Sequence, residues 1–344
     1  MILRGLSAMY GAAAAWRRRS FAARPERRKR LARPVISVGN LRVGGSGKTP
    51  AVAHLVRLLV AHGERPCVLS RGYARTSPGD GVTVVSDRTR VLADVAAAGD
   101  EPLMLAHALA GVPVLVSDSR YLAGRLAERR FDVTVHVLDD GFQHHELARD
   151  LDLLVAGEED LDDAPLPAGR LRERLAAAAA AHAVLVPTSQ AATADRVARA
   201  LGVAAAFRIT RTLGPPHTIV RGGPLGVAAG ARVFGVAGIA RPDRFFADLS
   251  AAGWVVAGTL TFRDHHPYTN GDVARIEAAA RSVAASAILT TEKDAERLAV
   301  VDPGSLTIGA VPLTLTIEPA DAFWRLLHER IARAAHAAPA GAAS

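Results

Sequence analysis

Cysteine is almost missing from this chain of 344 residues: Cys67 stands alone, so no disulfide can form within it and no cysteine framework can hold zinc. The cytoplasm, a reducing compartment, is the natural setting. A basic face on the folded body is also lacking. The formal charge is +8, yet residues 1–33 hold ten basic side chains against Glu26 and account for +9, leaving the rest at about −1. Nucleic acid is therefore not an expected partner. The apolar stretch between Arg4 and Arg17 is too short to cross a bilayer. Its arginine cluster follows the apolar run, which is contrary to the layout of a cleaved secretory signal.

What is present is an ordinary globular composition, 49% hydrophobic and 22% charged, on a chain long enough for two domains. At the N-terminus Leu6, Met9, Tyr10, Ala13 and Trp16 recur near helical spacing and run into Arg17, Arg18 and Arg19. Such a helix can lie in a membrane interface, its apolar side in the acyl boundary and its arginines on anionic headgroups, each adding roughly 1 kcal/mol. A solvated basic helix is the alternative.

Short β-rich runs alternate with helical ones from Pro34 onward. Strands are expected at Pro34–Val38, Pro66–Ser70, Val112–Ser117, Val133–Leu138, Leu151–Ala156 and Ala183–Pro187, with helices such as Thr49–His62 and Tyr121–Arg130 between them. That alternation predicts an α/β fold, a parallel sheet flanked by helices, and Gly47-Lys48-Thr49 in the turn after its first strand makes the sheet P-loop NTPase-like. A second strand–helix series, with strands from Val233 to Ile317, predicts a smaller α/β domain. The expected division is a docking segment 1–33, a P-loop domain 34–205, a linker 206–232, a smaller domain 233–318, and a C-terminal helix and tail 319–344.

The strongest chemical signal is Val43-Gly44-Gly45-Ser46-Gly47-Lys48-Thr49-Pro50, placed after a strand and opening a helix. Glycines let successive backbone N–H groups close around phosphate oxygens, and the helix N-terminus adds its positive end. Lys48 reaches the β and γ phosphates, and Thr49 can ligate Mg²⁺. Residues 44–50 are thus the expected ATP cradle, although the first glycine of the usual motif falls on Arg42. A P-loop also needs an acid near the metal, and the strand Val133–Leu138 ends in Asp139 and Asp140, either of which can hold Mg²⁺ directly.

Further segments follow in order: Ser37-Val38-Gly39-Asn40-Leu41, Ser70-Arg71-Gly72-Tyr73, Gly99-Asp100-Glu101-Pro102, Asp139-Asp140-Gly141-Phe142-Gln143-His144, Leu171-Arg172-Glu173, Phe262-Arg263-Asp264-His265-His266-Pro267-Tyr268 and Thr290-Thr291-Glu292-Lys293-Asp294. Together they resemble the tetraacyldisaccharide 4'-kinase family of lipid A biosynthesis. The resemblance implies transfer of the ATP γ-phosphate to the 4'-hydroxyl of an acylated glucosamine disaccharide 1-phosphate. It also implies Mg²⁺, and work as a peripheral protein on the cytoplasmic face of the bacterial inner membrane. Two positions depart from the family pattern: Ala74, where glycine is usual, and Arg170, where proline is common.

Phosphoryl transfer needs positioning, charge neutralisation and a group to take the acceptor's proton. Asp100 is the expected base, aided by His265 or His266, with His265 favoured. Arg172, with its planar fork of donors, is expected on the transferring phosphoryl or a substrate phosphate, and Arg71 on substrate phosphate. Asn40, Gln143 and His266 are expected substrate contacts. Glu292 and Lys293 are expected to touch adenine or ribose, with a helix N-cap as an equal alternative. A membrane-associated P-loop ATPase that switches partner binding is the competing function; it would hydrolyse ATP without a lipid acceptor.

Overall fold

The computed structural model describes residues 2–337 apart from 46, 74, 78, 220–222 and 302–306. Ser46 of the expected cradle and Ala74 lie outside the described residues. The first half runs α1 (Ile2–Ala22), β1 (Val35–Gly39), α2 (Lys48–Ala61), β2 (Pro66–Ser70), β3 (Thr83–Ser86), α3 (Val95–Ala98), α4 (Asp100–Ala108), β4 (Val114–Val116), α5 (Arg120–Arg130), β5 (Val135–Asp139), β6 (Leu151–Val155), β7 (Ala183–Pro187) and α6 (Ala191–Leu201). The second runs β8 (Ala206–Leu213), β9 (His217–Thr218), β10 (Arg232–Ala237), α7 (Pro242–Ala251), β11 (Val255–Thr261), α8 (Asn270–Ser282), β12 (Ala287–Thr291), α9 (Glu292–Leu298), β13 (Ile308–Val311), β14 (Leu313–Glu318) and α10 (Ala320–Ala337).

Among the described residues the strands form two sheets, ordered β14-β8-β7-β6-β1-β5-β2-β4-β3 and β11-β10-β12-β13-β9. The large sheet is parallel from β8 to β4 and closes with antiparallel strands β14 and β3 at its edges. The small one is parallel except for β9. Every residue of β1, β2, β5 and β6 is buried, as strands covered on both faces must be. Alternate side chains of β1 show the two layers: Ile36 and Val38 belong to the core that α2, α4 and α10 cover, whereas Val35 belongs to the opposite core with Ala123 and Ala127 of α5.

Three features differ from the expected division. Residues 206–213 form a strand of the large sheet, not a linker. Strand β14, expected in the small domain, pairs with β8 in the large sheet from Leu313↔Leu213 to Glu318↔Arg208. Its alternation of apolar and polar residues buries Leu315 and Ile317 on one face only, which suits an antiparallel edge. Nor are residues 1–33 detached, since Leu31 is buried against α5 and Lys29 bridges to Leu147.

Helix α10 returns to the large core, where Phe323 meets Phe207 edge-on with ring centroids 5.0 Å apart. Replacing Phe323 with alanine should cost about 3–5 kcal/mol, read as a lowered denaturant midpoint with unchanged slope. An unchanged midpoint would mean that α10 does not hold this core together.

Candidate active site

Loops at the carboxyl ends of parallel strands gather ligands. Here those ends in both sheets face one cleft of about 1140 Å³. From the large sheet come the turn after β1, Arg71 after β2, Asp118 and Arg120 after β4, and Asp139 and Asp140 at the end of β5. From the small sheet come Ala240 and Arg241 after β10, Asp264 and His265 after β11, and Glu292 and Lys293 after β12.

The turn after β1 has the shape its glycines allow. Gly44 and Gly47 sit at φ +96° and +83°, and a Cβ on Gly44 would come 3.3 Å from that of Ala240. Gly47 caps α2 without a side-chain acceptor, so the first N–H groups of that helix are free for an anion. Gly44, Gly45, Gly47, Lys48, Thr49 and Pro50 all line the cleft. The Lys48 ammonium donates to Asn40 Oδ1 at 3.0 Å and lies 3.4 Å from Asp140 Oδ1. Arg42, where the motif has glycine, turns away to bond Asp160 at 3.0 Å, and Arg170 keeps its turn by accepting from Val43 N at 2.8 Å.

On the same wall as Lys48, Asp139 is almost wholly enclosed and its Oδ1 accepts no hydrogen bond. Burial, with Glu101 and Asp140 nearby, pushes its carboxyl up to about 7 against the pull of Lys48 and Arg120. Burial pushes Asp140 the same way, but Lys48 and Arg172 outweigh it and hold this carboxyl below its ordinary range. Arg172 donates to Asp140 Oδ2 at 2.6 Å and approaches Gln143 Oε1 at 3.5 Å, while Gln143 donates to the Asn40 carbonyl at 2.9 Å. Arg71, largely exposed, stands 3.5 Å from Asp118 on the same wall. Burial and the surrounding Arg120, Arg149, Arg17 and Arg71 push His144 down to about 3, so this end of the cleft carries a positive field around a neutral ring.

Across the cleft, Asp100 and His265 meet at 2.8 Å through Nδ1. Lys293 donates to His265 Nε2 at 3.2 Å, to Glu101 at 3.1 Å and to Asp264 at 3.2 Å. Glu101, Asp100 and Asp264 keep the Lys293 pKa raised although burial lowers it, so it remains a cation. A cation at Nε2 fixes the neutral tautomer with the proton on Nδ1, donated to Asp100 Oδ2. Burial raises the Asp100 pKa, but the His265 bond and the charges of Lys293 and Arg297 keep it below the usual range.

These contacts place two of the expected site residues. Asp100 is only 4% exposed and does not line the cleft; its Oδ1 accepts from Glu101 N and its Oδ2 from His265. His265 is the member of the pair on the wall. His266, expected as a substrate contact, points elsewhere, bonded to Asp272 at 3.1 Å and stacked on Phe262. The backbone separates the neighbours: His265 is left-handed at φ +59°, which turns consecutive rings to opposite sides. Around Lys293, Thr291 is the N-cap of α9 and Glu292 accepts from Leu313 N at 3.1 Å, while both Glu292 and Lys293 line the cleft. Arg120, which no motif marked, is 6% exposed at the cleft wall. Its signal in the sequence is a cation in the first turn of a helix, where the dipole disfavours it.

A glycine-rich turn between a parallel strand and the helix it opens, an acid pair beside it and a His–Asp pair across the cleft are the arrangement of a P-loop phosphotransferase. Residues 1–332 match the family model described as tetraacyldisaccharide-1-P 4'-kinase, and the chain belongs to that family. Tetraacyldisaccharide 4'-kinase of Geobacter metallireducens is 42% identical over 310 residues, covering 87% of this chain and 89% of that one. The Koribacter versatilis protein of that name is 39% identical over 323 residues, covering 92% and 95%. Among solved structures, the "apo" form of LpxK from Aquifex aeolicus in complex with ATP superposes with TM-score 0.76 at 30% identity, covering 95% of this chain and 98% of that one.

The elevated Asp139 pKa sets a sign for stability against pH. Between the ordinary carboxylate value near 4 and about 7, the folded state holds a proton that the unfolded state lacks, so stability falls as pH rises through that window. Melting curves of the nucleotide-free protein at about pH 5 and about pH 8 should show a smaller drop in Asp139→Asn than in the parent. Equal drops would place the titrating group elsewhere.

Proposed function

We infer that the cleft performs its family's reaction, ATP-dependent phosphorylation of the 4'-hydroxyl of a tetraacylated glucosamine disaccharide 1-phosphate in lipid A biosynthesis. The observation that carries this reading is the placement of Lys48, Asp139 and Asp140 on one wall and the His265–Asp100 pair on the other. The protein is a kinase of an alcohol acceptor; its family membership gives the partner-switching ATPase no support.

In this reading residues 44–50 hold the ATP phosphates, and Lys48 exchanges its Asn40 and Asp140 contacts for the β and γ oxygens. Thr49, Asp139 and Asp140 would hold Mg²⁺. They fit a hard cation because Asp139 Oδ1 is buried without a hydrogen-bond partner and Asp140 Oδ1, buried too, is met by the Lys48 ammonium at 3.4 Å, a contact the nucleotide phosphates would take over. Bound there, Mg²⁺ would neutralise charge on the phosphate oxygens. Arg172 and Arg120, on the same wall, would spread the charge of the transferring group.

His265 takes the hydroxyl proton at Nε2, and Asp100 steadies the resulting imidazolium through Nδ1. Lys293 has to release Nε2 first, and Glu101 and Asp264 already offer it other acceptors. Asp100 is thus the orienting partner of the base. Arg71 and Gln143 remain proposed substrate contacts, and Glu292 a proposed nucleotide contact.

The acceptor is a lipid, and α1 is built to meet its membrane. Met9 and Trp16 are 71% and 72% exposed on its outer side and Leu3 and Leu6 are exposed as well, while Tyr10 and Arg17 reach the mouth of the cleft. Among the described residues no helix is long and apolar enough to cross a membrane. Peripheral docking of α1 on the cytoplasmic face of the inner membrane is the proposed localisation.

Transfer of labelled γ-phosphate to purified tetraacyldisaccharide 1-phosphate should fall by about 10²-fold or more in Lys48→Ala and in His265→Ala, with nucleotide binding kept in the latter. Full activity in either would remove that residue's role. Trp16→Glu with Met9→Glu should lower co-sedimentation with anionic liposomes without changing the melting temperature; unchanged sedimentation would reject the docking face.

A further inference from the structure

The side of α1 that meets the protein is as unusual as its exposed side. Ser7, Gly11, Ala14 and Arg18 form the inner stripe. Gly11 lies so close to the body that an added Cβ would stand 3.1 Å from the Arg174 side chain and 3.3 Å from Pro165. Arg18 then reaches past the helix edge. Its Nε and one terminal nitrogen each donate to Glu173 at 2.7 Å, a two-pronged pair in which the Glu173 side chain is only 3% exposed. The same guanidinium covers the Phe142 ring at 4.4 Å and lies 3.5 Å from the Phe142 carbonyl.

Both contacted residues adjoin the active site. Glu173 follows Arg172, whose guanidinium holds Asp140 at 2.6 Å. Phe142 lies two residues beyond Asp140 and packs so tightly on β1 that a Cβ on Gly39 would stand 2.5 Å from its own. Arg18 therefore clamps from behind the two segments that carry the Arg172–Asp140 pair. Without it, Glu173 would be a buried charge with no partner at that distance, a strongly unfavourable state that a loop relieves by moving.

We propose that Arg18 is a positioning residue for the Arg172–Asp140 pair, so that seating the membrane-facing helix on the body completes the kinase site. The inference rests on the kinase reading above. It makes α1 more than an anchor: its inner face sets how fast phosphate is transferred, while its outer face sets where. A lipid surface that steadies α1 would steady the Asp140 wall with it.

A cycle of full-length variants tests this: Arg18→Ala, Arg172→Ala and the double variant, assayed for labelled phosphate transfer in mixed micelles. Arg18→Ala should lower kcat on the order of ten-fold, with KM for ATP and liposome sedimentation near the parent's, because misplacing a reacting group far from the substitution costs rate more than binding. Since the two residues do not touch, independent effects would multiply. The expected result is that the double variant is no slower than Arg172→Ala alone. Arg18→Lys, which keeps the charge without the fork, should fall between parent and Arg18→Ala at the parent's melting temperature. It replaces Arg18→Ala in the cycle if that variant is unfolded. Multiplying losses, a kcat within two-fold of the parent, or a loss confined to lipid sedimentation would overturn the proposal. A parent protein inactive on the lipid would instead sink the kinase reading itself.

Discussion

Two carboxylates at the end of β5 lie in a place where negative charge is expensive, and the rest of the site is arranged around that fact. Asp139 is enclosed and short of partners; Asp140 is held ionised by Lys48 and Arg172. Lys48 is itself kept in reach by Asn40, at the end of the neighbouring strand. Arg120 adds a further positive charge from the start of α5. On the proposed reading, a nucleotide would offer Lys48 and Arg172 a second anion, and a magnesium ion would offer Asp139 the cation that burial leaves it wanting. The charge arrangement would thus favour that binding.

The small sheet contributes a different kind of preorganisation. His265 adopts a left-handed backbone that costs of order 1–3 kcal/mol for an ordinary side chain and persists only if its surroundings insist on it. Here they do so from both ring nitrogens, Asp100 on one side and Lys293 on the other. Asp294, wholly buried, anchors the strand ends beneath by accepting from Gly238 N, Tyr268, Thr291 and Arg297. In the proposed reading the histidine that takes the proton hangs on the small sheet and the phosphate cradle on the large one, so the two sheets have to face each other before either is useful.

Much of this was legible in the residues because strands covered on both faces have to be continuous apolar runs, and such runs end where chemistry begins. Pro66–Ser70 and Ala183–Pro187 have the same limits in the sequence pattern as in the structure. The cradle was legible for the same reason, since glycine, lysine and threonine at a strand-to-helix junction have few other uses. What escaped depended on distant partners. The alternation in β14 announces a half-buried strand but not that its neighbour lies a hundred residues earlier. Adjacent His265 and His266 are chemically identical until a backbone angle separates them. The burial of Asp100 behind its histidine follows from how two sheets meet, and Arg120 sits in no motif at all.

The pairing of β8 with β14 also has a topological consequence. The chain leaves the large sheet after Leu213 and re-enters it at Leu313, directly opposite, with Gly214 N bonded to the Pro312 carbonyl where the two passages part. Everything between is an insertion hung on a double-stranded ribbon. The exit and entry points are already antiparallel neighbours, so a short reverse turn would join them without disturbing a single rung of the ladder. The host fold can thus be closed without its guest, and any swing of the guest pivots on that one narrow stem.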